Sequence, residues 1–364
     1  MKIVLSGYYG FDNAGDEALV TAISNSFKTF DSRIEITVLS GNPDRTAAVH
    51  GVRAVSRVNP LVLIRELFRA DLLISGGGSL LQDVTGPLSI PYYLGVVLLA
   101  LLLRTPVVFY AQGIGPVNRR LSRCLIRLIA NRVDLITLRD SASAELLASI
   151  GVTKPPVFVT ADPVFSLRPS GEEVKKARSY LEGLGLDPDR GIIGVSLRAW
   201  EDFADQQIAE FLDRLAENGQ VLLLPLQHPS DLEYSVNISR MMGTSPAIVA
   251  NQFNSTELMG LISQLRIMVG MRLHSLIFAA CVGTPFEGIA YDPKVEAFLR
   301  QFEKSPLFSH DGLDLQAAVD AVKQTLRHHA ATTCAITVKS SELKEKADAN
   351  AMLVLDLIRR TGTL

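Results

Sequence analysis

The feature that most restricts how this chain can fold is an alternation of short, almost wholly apolar runs with longer segments of helical period. Runs at residues 2–6, 34–39, 71–75, 106–111 and 134–138 read as strands, with weaker ones near Val52 and Val157. Helical patterns fall between them at 17–28, 92–103, 121–130 and 142–150. Strands that are apolar on both faces need cover on both faces, and crossover helices between parallel strands provide it. The fold class expected is α/β with a doubly wound parallel sheet.

The pattern then restarts. A Pro/Gly/Ser stretch at 166–171 leads into a helix ending near Leu181, followed by strands at 191–197, 221–224, 266–269 and 286–290. Helices are expected at 204–217, 257–263, 273–281 and 313–327, with a closing helix at 342–359. A length of 364 residues suits two domains. The division expected is 1–168 and 169–364, two Rossmann-like domains facing a cleft. Ligands of open α/β sheets bind at the carboxyl ends of the strands, which would line that cleft.

Composition narrows the function classes. At 48% hydrophobic and 20% charged residues, disorder is excluded. Lys plus Arg number 36 against 38 Asp plus Glu, so charge makes no case for a nucleic-acid partner. Cys124, Cys281 and Cys334 are too scattered for a zinc pair or a disulfide framework, and are expected as packing thiols in a reducing compartment. The opening MKIVLSGYYG reads as a strand and not as a signal peptide, so a cytoplasmic protein is expected. The unbroken apolar run at 94–103 is too short to span a bilayer, leaving a buried helix or a monotopic surface contact.

Three glycine-rich turns each follow a first-domain strand: GYYGFDNAG at 7–15, GGGS at 76–79 and QGIGP at 112–116. None has the spacing of a P-loop or a dinucleotide fingerprint. Together they outline a binding edge, because glycine lets backbone and ligand approach closely. Asp16 and Glu17 suit either a polyol or a helix dipole. The second domain supplies cations: Arg198 ends a strand, Arg272 and His274 open a helix, and Lys294 follows the next strand in YDPK at 291–294. Arginine forks and a helix N-terminus suit carboxylate or phosphate, and an imidazole beside them can move a proton. From Arg104 to Arg139 there are seven arginines and one acid, Asp134. Arg119, Arg120, Arg123 and Arg127 recur near helical spacing, which suits an anionic membrane, a diphosphate or a solvated face. Arg139, at a strand end, is expected in the cleft.

These motifs together resemble the polysaccharide pyruvyl transferase family, in particular its CsaB-type cell-wall branch. The blocks GYYGFDNAGDE (7–17), GGGSLLQD (76–83), GIGP (113–116), SLR (196–198), GMRLH (270–274) and YDPK (291–294) carry the resemblance across nearly the whole chain. The resemblance implies a GT-B-like pair of domains. It also implies transfer of a pyruvyl group from phosphoenolpyruvate to a sugar as a cyclic ketal, with release of phosphate. It puts the donor on Arg198, Arg272, His274 and the Leu273 N–H; from their places at strand ends Lys294 and Arg139 are expected as further donor ligands, and His274, Arg272 and Lys294 as the catalytic set. The acceptor side implied is Tyr8, Asn13, Asp16, Glu17, Gly77, Gly78, Gln82 and Asp83, with one of the acids as base. The acceptor implied is an N-acetylmannosamine, modified at its 4- and 6-hydroxyls, on a lipid-diphosphate-linked disaccharide of secondary cell-wall polysaccharide synthesis, which serves surface-layer anchoring. That chemistry needs no cofactor, no metal ligand spacing is present, and a peripheral contact at the inner membrane face is the expected setting. Glu287, in a strand where a small β-branched residue is expected, departs from the pattern. A nucleotide-sugar glycosyltransferase and a non-catalytic sugar-phosphate binding protein are the rival readings.

Overall fold

The computed structural model describes residues 1–361 other than 85, 87, 201–203, 291 and 309–313. Tyr291 of the YDPK block and the expected helix start at 313 therefore lie outside the described residues. The chain forms two α/β units. The first comprises Met1–Asp12, Asp16–Ser166 and Leu343–Leu364, and the second Asn13–Gly15 and Leu167–Glu342.

The first unit holds seven strands: β1 (Lys2–Tyr9), β2 (Glu35–Ser40), β3 (Arg53–Ser56), β4 (Leu72–Gly76), β5 (Val107–Gln112), β6 (Leu135–Leu138) and β7 (Val157–Val159). They alternate with α1 (Ala14–Phe30), α2 (Pro43–His50), α3 (Pro60–Arg69), α4 (Ser89–Leu102), α5 (Arg120–Ala130) and α6 (Ser141–Ile150). The sheet runs β3-β2-β1-β4-β5-β6-β7, all parallel, so chain direction across the sheet reverses between β1 and β4. β4 and β5 are buried at every position, as strands covered on both faces must be. The weak signals near Val52 and Val157 become short outer strands, and β7 is exposed throughout. Helix ends follow local chemistry. Asp140 accepts the Ser143 N–H at 2.7 Å to start α6, and Gly151, at φ +88°, stops it.

The run at 94–103 lies in α4, whose Leu94, Val96, Val97 and Ala100 are buried while Leu98 and Leu102 are exposed. Among the described residues no helix is long and apolar enough to cross a membrane. Of the three thiols expected in the core, only Cys281 is buried. Cys124 and Cys334 are exposed because each sits on the outer side of its helix.

The second unit holds β8 (Ile192–Ser196), β9 (Gln220–Leu223), β10 (Ala247–Ile248), β11 (Ile267–Gly270) and β12 (Phe286–Gly288). Its helices are α7 (Gly171–Gly183), α8 (Asp205–Ala216), α9 (Ser230–Met241), α10 (Ser255–Ile262), α11 (Leu273–Val282), α12 (Pro293–Gln301), α13 (Leu315–Arg327) and the start of α14 (His329–Thr361). The parallel order is β10-β9-β8-β11-β12, reversing between β8 and β11. The Glu287 anomaly is resolved by pairing: the buried carboxylate takes the Lys304 ammonium at 2.5 Å and the Thr325 hydroxyl at 2.6 Å.

The division differs from the expected 1–168 and 169–364 at the C-terminus. α14 runs 33 residues, and from Leu343 onward it belongs to the first unit. The buried Asn350 explains this. Its amide oxygen accepts from the Thr160 hydroxyl at 2.7 Å, and its amide nitrogen donates to the Ala161 carbonyl at 3.1 Å.

Candidate active site

In open α/β sheets the loops diverge where strand order reverses, and a crevice opens at the carboxyl ends. In the second unit that point lies between β8 and β11, and the sequence places Ser196-Leu-Arg198 on one lip and Gly270-Met-Arg-Leu-His274 on the other. The lips are tied: the Met271 N–H donates to the Ser196 carbonyl at 2.9 Å, and the Arg198 N–H lies 3.5 Å from the Met271 sulfur. The Arg198 guanidinium sits 5.4 Å from the Trp200 ring centroid.

Arg272 is the N-cap residue of α11, so Leu273 and His274 occupy the first turn, where backbone N–H groups lack helical partners. Its side chain is not wholly open to an anion, as the sequence suggests. Nε donates to Asp231 at 2.9 Å and Nη2 donates to the other Asp231 oxygen. Asp231, buried at the start of α9, also accepts the Gln227 N–H at 3.0 Å. One edge of the fork is thus spent on orientation, and among the described residues Nη1 makes no hydrogen bond. Asp231 escaped the sequence reading because α9 mixes polar and apolar residues on its buried face, Asp231, Tyr234, Ser235 and Ile238, and shows no clear helical stripe.

His274 lies against Phe278, ring centroids 6.2 Å apart, and against Gly15. A Cβ on Gly15 would fall 2.0 Å from His274 Nδ1, so glycine is the only residue that fits beside the imidazole. The Asn13–Gly15 segment reaches this place because the Ala14 N–H donates to the Leu226 carbonyl at 2.8 Å and Asn13 bridges to Gln227. Asn13, expected on the acceptor side, belongs to the second unit. Lys294 Nζ lies 3.0 Å from Asp292, which also caps α12 through the Lys294 N–H.

In the first unit strand order reverses between β1 and β4, and the glycine edge sits there. Gly77 and Gly78 have φ of +74° and +77°, a conformation only glycine adopts without strain. A Cβ on Gly78 would lie 3.2 Å from Asp16 Oδ1, so that carboxylate borders the glycine backbone. The neighbouring Tyr93 phenol is pushed up to about 12, chiefly by burial, against the pull of Arg57 and with the Asp16 charge adding to it. Tyr8, partly exposed, stacks on Phe11 at 4.3 Å.

Other expected acceptor residues are engaged in holding loops. Glu17 accepts the Gly10 N–H at 2.9 Å and pairs with His50 Nε2 at 2.6 Å, with Thr21 on the far ring nitrogen at 3.0 Å. Gln82 accepts the Val84 N–H at 2.9 Å. Asp83 is buried and accepts the N–H groups of Asn118 and Arg119 at 2.9 and 2.8 Å. Burial works to raise its pKa, but those donors outweigh burial and hold it below the ordinary carboxylate value. Arg139, expected with the donor, lies in the first unit, as the expected division has it, and is almost fully buried. Its Nη1 pairs with Asp162 at 3.0 Å and its Nη2 donates to Ser79 at 2.9 Å, so its donors brace the glycine loop.

On α5, Arg120, Arg127, Leu121 and Leu128 are exposed, whereas Arg123 turns back to Ser149 at 3.1 Å. Among the described residues no group of three or more His, Cys, Asp or Glu is arranged to hold a metal ion.

Residues 13–293 match the family model described as polysaccharide pyruvyl transferase. The chain is 24% identical to the amylovoran biosynthesis protein AmsJ of Erwinia amylovora, over 88% of this chain and 89% of that one. Among solved structures it is similar to a UDP-GlcNAc 2-epimerase from Neisseria meningitidis bound to UDP-GlcNAc, with a TM-score of 0.67, 12% identity and coverage of 99% and 100% of the two chains. It is equally similar to Anabaena HepE in complex with UDP and glucose, with a TM-score of 0.67, 12% identity and coverage of 98% and 99%. These structural likenesses are of fold, the GT-B type.

Proposed function

The chain belongs to the polysaccharide pyruvyl transferase family, and from that membership we propose that it moves the pyruvyl group of phosphoenolpyruvate onto a sugar diol as a cyclic ketal, releasing phosphate. One observation carries the donor assignment: Arg198, Arg272 and His274 stand at the strand-order reversal of one sheet, with Arg272 already oriented by Asp231. Phosphoenolpyruvate carries a carboxylate and a phosphate, and Arg198, the Nη1 side of Arg272, the first N–H groups of α11 and Lys294 supply the matching donors.

His274 delivers a proton to the methylene carbon, which becomes the methyl group and leaves C2 electron-poor. One sugar hydroxyl forms a bond to C2 and gives up its proton. The C2–O bond to phosphate breaks, and the second hydroxyl adds to close the ketal. Of the two hydroxyl protons lost, one replaces the proton given to carbon and the other leaves with phosphate. Asp16, whose carboxylate borders the glycine backbone of the first unit, is the acceptor base. The reaction balances without a cofactor.

The acceptor is an N-acetylmannosamine, at its 4- and 6-hydroxyls, on a lipid-diphosphate-linked disaccharide of secondary cell-wall polysaccharide, whose ketal serves surface-layer anchoring. A peripheral contact at the inner membrane face suits such an acceptor. It is supported by exposed Arg120, Leu121, Arg127 and Leu128 on α5 and by exposed Leu61 and Phe68 on α3, since α3, α4 and α5 pack side by side. The test is mass spectrometry of a lipid-diphosphate disaccharide incubated with protein and phosphoenolpyruvate. One added pyruvyl ketal with stoichiometric phosphate is the expected product. Turnover of a UDP-sugar without phosphoenolpyruvate would instead establish a glycosyltransferase.

A further inference from the structure

The carboxyl edge of the first sheet carries a charged centre that none of the motifs includes. Arg57 directly follows β3, and its position is set through the backbone: its N–H donates to the Ser40 carbonyl at 3.1 Å, and its carbonyl accepts the Tyr92 hydroxyl at 2.8 Å. The guanidinium is ringed by aromatic faces. Its carbon lies 4.2 Å from the ring centroid of Tyr92, 5.1 Å from that of Phe11 and 5.5 Å from that of Tyr93. Phe11 in turn stacks on the partly exposed Tyr8, with 15° between the rings.

Cation–π contact and the Tyr92 and Tyr93 hydroxyls stabilise the charge, but they do not serve every N–H donor of the fork. Arg57 Nη1 is buried and has no hydrogen-bond partner, and among the described residues no carboxylate is paired with this guanidinium. A buried charged donor without an acceptor is costly to keep. A purely structural plug would do better with an uncharged side chain, so the arrangement calls for an oxyanion that comes from outside. Aromatic rings flanking it offer flat apolar faces of the kind that pack against the C–H face of a pyranose.

We infer that Arg57, with Tyr8, Phe11 and Tyr92, forms a binding site for an anionic saccharide. Arg57 Nη1 donates to its carboxylate or phosphoryl oxygen, and its ring packs on the aromatic faces. The site is built within the first unit and is separate from the residues proposed to bind phosphoenolpyruvate. Its catalytic consequence, selection of the acceptor, rests on the transferase reading above, whereas the binding itself does not.

The experiment titrates the full-length protein with glucose 1-phosphate, glucuronate and methyl glucoside as probes, following bound ligand by calorimetry. Glucose 1-phosphate and glucuronate bind wild type and methyl glucoside binds at least tenfold more weakly. Preference for the phosphate identifies the acceptor's diphosphate linkage as the natural source of the oxyanion, and preference for glucuronate identifies an acidic sugar of the glycan. Arg57→Met abolishes anion-dependent binding and Arg57→Lys weakens it about tenfold, because lysine keeps the charge and loses the planar fork. Phosphoenolpyruvate affinity, measured on the same variants, stays at the wild-type value and certifies an intact fold. Equal binding of the charged and uncharged probes, or undiminished binding by Arg57→Met, overturns the site. Ketal formation separates the two readings. Wild-type acceptor KM in Arg57→Met overturns its part in acceptor selection and leaves the transferase standing. Arg57-dependent saccharide binding without any pyruvyl transfer leaves the site standing and removes the transferase reading.

Discussion

The pairing of Arg272 with Asp231 makes a prediction that a simple anion-binding arginine does not. Both groups are sequestered, with side-chain exposures of 11% and 1%, and the guanidinium uses two donors on one carboxylate. Removing one member of such a pair leaves the other buried and uncompensated, which costs about 3–5 kcal/mol, whereas replacing both by apolar groups of similar volume is close to neutral. Arg272→Met and Asp231→Leu should therefore each lower Tm by about 6–20 °C, at about 2–4 °C per kcal/mol for a unit of this size. The double variant should be more stable than either single one. Its remaining deficit is the Gln227 N–H, which loses its acceptor and costs about 1–3 kcal/mol. The assay is thermal unfolding of the four proteins followed by circular dichroism, with phosphoenolpyruvate titration alongside. All three variants should lose donor affinity. If the two single effects simply add in the double variant, the groups are not coupled and Asp231 does not orient Arg272.

Four further outcomes are expected. His274→Gln should lower kcat about 10²–10⁴-fold with a smaller change in donor binding, and a change confined to donor KM would make His274 an anion ligand only. Gly15→Ala should reduce turnover at least about tenfold and lower Tm by about 2–12 °C, because the new methyl meets the imidazole, and unaltered kinetics would show that His274 can move without penalty. Asp83, whose folded pKa lies below its unfolded value, stabilises the protein above the unfolded value, near 4, and this contribution is lost as pH falls through the folded one. Asp83→Asn should flatten that acid limb in pH-dependent unfolding, and an unchanged limb would assign it to other carboxylates. Arg120→Gln with Arg127→Gln should weaken sedimentation with anionic liposomes about thirtyfold at low salt, at about 1 kcal/mol per arginine, and equal sedimentation would make α5 a solvated face.

Much of the molecule was legible in the amino-acid sequence because the signals are local. Strands buried on both faces, such as β4 and β5, declare themselves as apolar runs, and the restart of that pattern after residue 166 announces a second sheet. The switch-point residues Arg198, Arg272 and His274 were visible for the same reason, since a strand followed by a charged turn and a helix is a contiguous pattern. Family membership came from contiguous blocks as well.

What only the tertiary structure decided are relations between residues distant in the chain. Whether an arginine is open to a ligand depends on which carboxylate packs against it. Arg139 is taken up by Asp162 and Ser79, half of Arg272 by Asp231, and Arg57 is flanked by the rings of Phe11, Tyr92 and Tyr93. The last turns of α14 belong to the first unit through Asn350, and Asn13 to Gly15 belong to the second through Leu226 and His274. Periodicity reports which face of an element is buried, but it carries no information about what the buried face meets. That choice is made by packing across the chain, and at this site it determines which charges remain for chemistry.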